Sequence, residues 1–149
     1  MRSNKDTRVI TFDFNKEDWS GKLKENGFDA NKKTLFLWEG VTYYLPEETI
    51  KQNIGAMNML LSEESIVSFD FFTKQWLFEN NAFVMKYAES ALKVAGEPFQ
   101  FGFDGISEDA AMQQIECEFL VNSDFEIKRF ERLGKYETNF IGGFIELSK

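Results

Sequence analysis

Three carboxylates in this 149-residue chain directly follow apolar runs. Asp13 follows "VITF", Glu39 follows "LFLW" and Asp70 follows "VSF". In open α/β sheets, ligands bind beyond the carboxyl ends of the strands. A carboxylate there can accept hydrogen bonds from sugar hydroxyls or pair with a cation. Asp13 and Asp70 could equally cap the loop or helix that comes next. Capping is less natural for Glu39, which is followed by Gly40 and the loop "VTYYLP". Gly40 has no side chain, so a ligand or another backbone segment can approach it closely. Tyr43 and Tyr44 add two phenol hydroxyls and two flat rings. One ring can face a pocket while the other packs.

Other chemistries are poorly served. The chain has no histidine, which removes the commonest metal ligand and the commonest general base near neutral pH. No Walker loop, GxGxxG, CxxC or GxSxG occurs, and the acid clusters lack calcium-loop spacing, so no metal site is expected. The single cysteine, Cys117, excludes an internal disulfide and fits a reducing compartment. It is expected as a small core residue of a helix rather than as a nucleophile. The net charge of −8 disfavours nucleic acid as a partner. No apolar run is long enough to span a bilayer, and "MRSNKDTR" has no apolar core of a signal peptide. A cytoplasmic protein is expected, with no membrane partner.

The elements that must position these groups follow from pattern. "RVITFDF", "KTLFLWEG" and "SIVSFDFF" are rich in β-branched and aromatic residues and predict strands. The unbroken run in "KTLFLWEG" predicts a strand buried on both faces. "NKEDWSGKLKENGF" predicts a short amphipathic helix stopped at Gly27. Pro46 with Glu47 and Glu48 opens a second helix, striped by Ile50, Ile54, Met57 and Leu61. A third helix is expected from about Glu79 to Ala95, with Phe83, Val84, Tyr87, Ala88, Ala91 and Leu92 near one face. Ser107 caps a fourth, running to about Leu120. "FEIKRFERL" and "NFIGGFIELSK" alternate with period two around "GKYET", which predicts a closing antiparallel hairpin. The 17 phenylalanines predict an aromatic core. Strands alternating with helices give one α/β domain over residues 1–149, with a mostly parallel sheet.

"DF" after a strand, then "DW", then "GFDANKKTLFLWEGVTYYLPEE" resembles the leucine carboxyl methyltransferase family, S-adenosylmethionine-dependent O-methyltransferases. The match is dense over Trp19 to Glu48 and looser beyond. The resemblance implies a Rossmann-like methyltransferase sheet. It places Asp13 and Phe14 near the adenine, Glu39 and Gly40 beside the cofactor, and Tyr44 on the substrate side; Tyr43 departs from the family's commoner aliphatic residue. Asp70 joins the substrate side as the third strand-end acid. The cofactor implied is S-adenosylmethionine, and the acceptor a carboxylate or hydroxyl oxygen of a small molecule or a chain terminus.

Family members are longer, and carry a glycine-rich cofactor loop and a ribose-holding acid on two strands that precede this segment. The resemblance therefore implies a sheet lacking its first two strands, and a chain inactive by itself. Without those strands, "VITFDF" should either pair beside "LFLWEG" or be displaced. The open edge is expected to be covered by a second copy in a homodimer. The alternative is an interaction module that kept the scaffold and lost catalysis.

Overall fold

The computed structural model describes residues 7–14, 18–79, 83–133 and 140–149. Asp18 caps the first helix, α1 (Trp19–Glu25), by accepting a hydrogen bond from the Gly21 N–H at 3.0 Å. β1 (Leu35–Trp38) leads through the tight turn Thr42–Tyr44 into α2 (Glu47–Leu60). β2 (Ile66–Phe72) follows, then α3 (Phe83–Ala95) and α4 (Glu108–Gln114), and the hairpin β3 (Glu126–Leu133) with β4 (Gly142–Ser148). Ser107 caps α4 as its sequence position requires, accepting from the Ala110 N–H at 3.0 Å. The "GKYET" connection lies outside the described residues.

The four strands form one sheet in the order β1-β2-β4-β3. β1 and β2 are parallel, with Leu35 opposite Ile66 and Trp38 opposite Phe69. β4 pairs antiparallel with both β2 and β3. The α/β class, the crossover helix and the closing hairpin are as expected. The parallel share is one pairing, because "VITFDF" does not join the sheet: residues 8–13 form no ladder. Of the two expected fates, that segment takes displacement. Its rings pack instead of its backbone pairing, with Phe14 5.8 Å from Trp38 and Phe12 6.3 Å from Trp19 between ring centres.

One face of the sheet carries the core. Val67, Phe69, Phe71, Ile145 and Leu147 are fully buried there against the α2 stripe of Ile50, Ile54 and Met57. The aromatic core is centred on Phe103, whose ring centre lies 4.8–5.0 Å from those of Phe71, Phe101 and Phe119. The opposite face differs from expectation at β1. Phe36 and Trp38 turn inward, but Leu35 and Leu37 are 65% and 64% exposed. The strand is thus buried on one face, since nothing among the described residues covers the other.

Two further expectations are corrected. Cys117 is exposed, because the wide turn Ile115–Phe119 that extends α4 points Ile115 and Phe119 inward and Glu116, Cys117 and Glu118 outward. On α3, Tyr87 is 71% exposed and Ala91 is also exposed, so those two apolar positions do not enter the core.

Candidate functional site

β1 ends at Trp38 and the next residue, Glu39, is exposed at the carboxyl end of the strand. Gly40 turns the chain with φ +74°, a left-handed conformation that glycine adopts without the penalty a side chain brings. Its N–H donates to Asp70 Oδ1 at 2.7 Å. Thr42 is buried and its Oγ1 donates to the Asp70 backbone oxygen at 2.8 Å. Both bonds tie the loop after β1 to one residue of β2.

Asp70 is therefore not a free strand-end acid. It sits inside β2, opposite Phe144 of β4, and is only 7% exposed. The sequence placed it at a strand end because "SFDFF" gives no sign of where the pairing stops. Burial pushes its carboxyl above the ordinary aspartate range, the Gly40 hydrogen bond pulls the other way, and the nearby Glu39 charge adds to the rise. What Asp70 does in this geometry is hold the loop that presents Glu39.

Tyr43 lies at the centre of an aromatic cluster. Its ring centre is 4.7 Å from Tyr44, 4.9 Å from Phe72 and 5.9 Å from Phe99. Tyr44 stacks on Phe99 at 5.7 Å and 26°. Burial, then the Asp70, Tyr44 and Glu39 negative charges, push the Tyr43 phenol up to about 12. The hydroxyl would lie 3.7 Å from a β-carbon placed on Gly40, so phenol, glycine and both acids converge. Gln100 closes this side. Its N–H donates to the Tyr43 carbonyl at 2.8 Å and its side-chain amide to the Tyr44 carbonyl at 2.6 Å.

Asp13 and Phe14 stand on the other flank. The Phe14 ring meets Trp38, the last residue of β1, and Asp13 beside it is half-buried. Thr42 and Gln100 were not foreseen. Phe99 and Gln100 come from a segment more than fifty residues away whose only sequence signal is its aromatic content. Among the described residues no group of three or more His, Cys, Asp or Glu is placed to hold a metal ion. No helix among them is long and apolar enough to cross a membrane.

The donor set suits a ligand bearing hydroxyl groups and positive charge. Glu39 offers an exposed, acceptor-only carboxylate. The Asp70 and Glu39 charges raise the local negative potential. Gly40 leaves room for close approach.

Residues 1–58 match the family model of leucine carboxyl methyltransferase, so the resemblance seen in the sequence is borne out over that stretch. No curated protein matches the chain. A putative methyltransferase from Thermobifida fusca superposes with a TM-score of 0.61 at 14% identity, over 95% of this chain and 53% of its own. A DUF574 family protein from Streptomyces avermitilis gives 0.51 at 9% identity, over 84% of this chain and 47% of its own. The fold is thus that of a methyltransferase sheet, and the chain spans about half the length of these two structures.

Proposed function

We propose that this chain supplies one wall of the methyl-donor site of an S-adenosylmethionine-dependent O-methyltransferase. The observation that carries the reading is the coincidence of two facts. The family match covers residues 1–58, and within it Glu39 is an exposed acid at the carboxyl end of β1, on a loop pinned by Asp70. Glu39 would lie beside the donor and accept a hydrogen bond from its ammonium group, with Gly40 giving the nucleoside room. Asp13 and Phe14 would border the adenine through the contact of Phe14 with Trp38. The donor, when bound, brings a methyl group already activated on a sulfonium. The protein's task is then alignment of an acceptor oxygen, which needs no histidine. Tyr43 and Tyr44 would face that acceptor, a carboxylate or hydroxyl oxygen. Asp70 acts as a positioning residue, holding the loop beneath them.

Calorimetric titration with S-adenosylmethionine tests the reading. Weak binding is expected, because this wall lacks the glycine loop that the resemblance assigns to other strands. Glu39→Gln should weaken it by about tenfold, the worth of one hydrogen bond to a charged acceptor. Heat signals identical in wild type and Glu39→Gln would remove the proposed role of Glu39. A second reading, a non-catalytic interaction module, is favoured by the bare leucines of β1. It gains if the titration shows no binding at all.

A further inference from the structure

β1 is an edge strand whose exposed stripe is complementary to itself. Within the described residues it pairs only with β2. Thr34 turns both of its backbone groups toward β2: its carbonyl accepts from the Ile66 N–H at 2.9 Å and its N–H donates to Ser65 Oγ at 3.2 Å. Gly40 likewise points its N–H at Asp70. Backbone direction alternates along a strand, so the N–H and C=O groups of Leu35 and Leu37 point away from β2, toward the open edge. Side chains alternate as well. Leu35 and Leu37 share one face of β1, Lys33 and Glu39 flank the strand two residues beyond them, and all four are exposed.

Read along the strand, that stripe is cation, leucine, leucine, anion. Turned end to end, it meets itself leucine to leucine and cation to anion. We infer that β1 pairs antiparallel with β1 of a second copy of this chain about a two-fold axis at Phe36, setting Leu35 against Leu37 and Lys33 against Glu39. The register satisfies three requirements together. Opposed residues lie on the same face. Leu35 and Leu37, whose backbone groups point outward, fall at a hydrogen-bonded pair, and Phe36 falls at a non-hydrogen-bonded one. Both charge pairs are of opposite sign. Sliding one copy by two residues would set Leu35 against Glu39 and lose the match. Lys33 also meets Glu64 of its own chain and is 67% exposed, and an ammonium group has donors for both acids. The paired strands would close an edge that otherwise presents unpaired backbone groups.

The inference does not rest on the methyl-donor reading. The two compete for the Glu39 carboxylate, so a donor bound there should weaken the dimer. Sedimentation equilibrium on the intact chain, at moderate salt to screen the −8 charge of each copy, gives the test. The expected result is a reversible dimer of the 17.4 kDa chain. Leu37→Lys should abolish it while leaving the urea midpoint of the monomer unchanged, because that side chain is already exposed. Lys33→Glu and Glu39→Lys should each weaken association about tenfold, since symmetry turns two attractive pairs repulsive. The double variant Lys33→Glu with Glu39→Lys should associate more tightly than either single variant, because both intermolecular pairs are again of opposite sign, which a merely structural effect of either change would not do. A wild type that stays monomeric at every concentration overturns the inference, as does a dimer indifferent to Leu37→Lys. So does a double variant no better than the singles. A monomer that binds only a different polypeptide at this edge also rejects self-pairing.

Discussion

Replacing Asp70 separates its two opposing contributions. The Oδ1 atom accepts the Gly40 N–H at 2.7 Å, and burial raises the carboxyl above its ordinary range. Asp70→Ala removes the acceptor and leaves the Gly40 N–H without it. A hydrogen bond to a charged group contributes about 1.5–3 kcal/mol, and relief of the buried charge returns part of that, for a net loss of about 1–2 kcal/mol. With a urea slope of about 1–3 kcal/mol/M for a domain of this size, the midpoint should fall by about 0.5–1 M. Asp70→Asn keeps an oxygen for Gly40 and carries no charge, so at neutral pH it should match or exceed wild type.

The pH dependence supplies an independent check. A carboxyl raised above 3.8 in the folded state means the folded chain binds more protons than the unfolded one just above that pH. This contribution to stability is present at low pH and is lost as pH rises through the folded pKa. Asp18 and Asp29, whose carboxyls are lowered chiefly by backbone hydrogen bonds from Gly21 and Asn31, act in the opposite sense. The informative quantity is therefore the difference between wild type and Asp70→Asn, measured by urea unfolding in steps above pH 3.8. That difference should move in favour of Asn as pH rises. A flat difference, or Asp70→Ala as stable as Asp70→Asn, would refute the role of Asp70 as a buried acceptor holding the loop.

Gly40→Ala should cost about 1–2 kcal/mol in urea unfolding through the left-handed backbone alone, since the new methyl meets only the Tyr43 hydroxyl at ordinary contact distance; Gly40→Asn should cost less. In a spectrophotometric phenolate titration, the highest-pH step, near 12, should vanish in Tyr43→Phe; an unchanged last step would reassign it.

Much of the scaffold was legible because local signals and burial coincide. The Ile50, Ile54 and Met57 stripe, the Ser107 cap and the alternating "FEIKRFERL" each specify an element without reference to distant residues. "VITFDF" failed for the complementary reason. Its β-propensity is real, but a strand needs a neighbour, and burying Phe12 and Phe14 against Trp19 and Trp38 is what this chain provides instead. The same holds for "LFLW", whose composition suits a strand covered on both faces while only one is covered.

The candidate site was half legible. Glu39 and Gly40 stand where the end of an apolar run places them. Tyr43 and Tyr44 are where their loop puts them, but their neighbours come from Phe72, Phe99 and Gln100, and no local pattern announces such contacts. The inward turn of Asp70 comes with a hydrogen bond from Gly40 in the loop after β1, which only the assembled sheet makes visible.

The proposed function requires the loop following β1 to face a nucleoside methyl donor. Amide chemical-shift mapping of the labelled chain, titrated with S-adenosylhomocysteine, tests it most directly because weak binding remains visible. Saturable shifts are expected at Glu39, Gly40, Tyr43 and Tyr44, with the midpoint moved to about tenfold higher ligand in Glu39→Gln. Shifts confined to residues remote from this loop, or none at any ligand concentration, would contradict it.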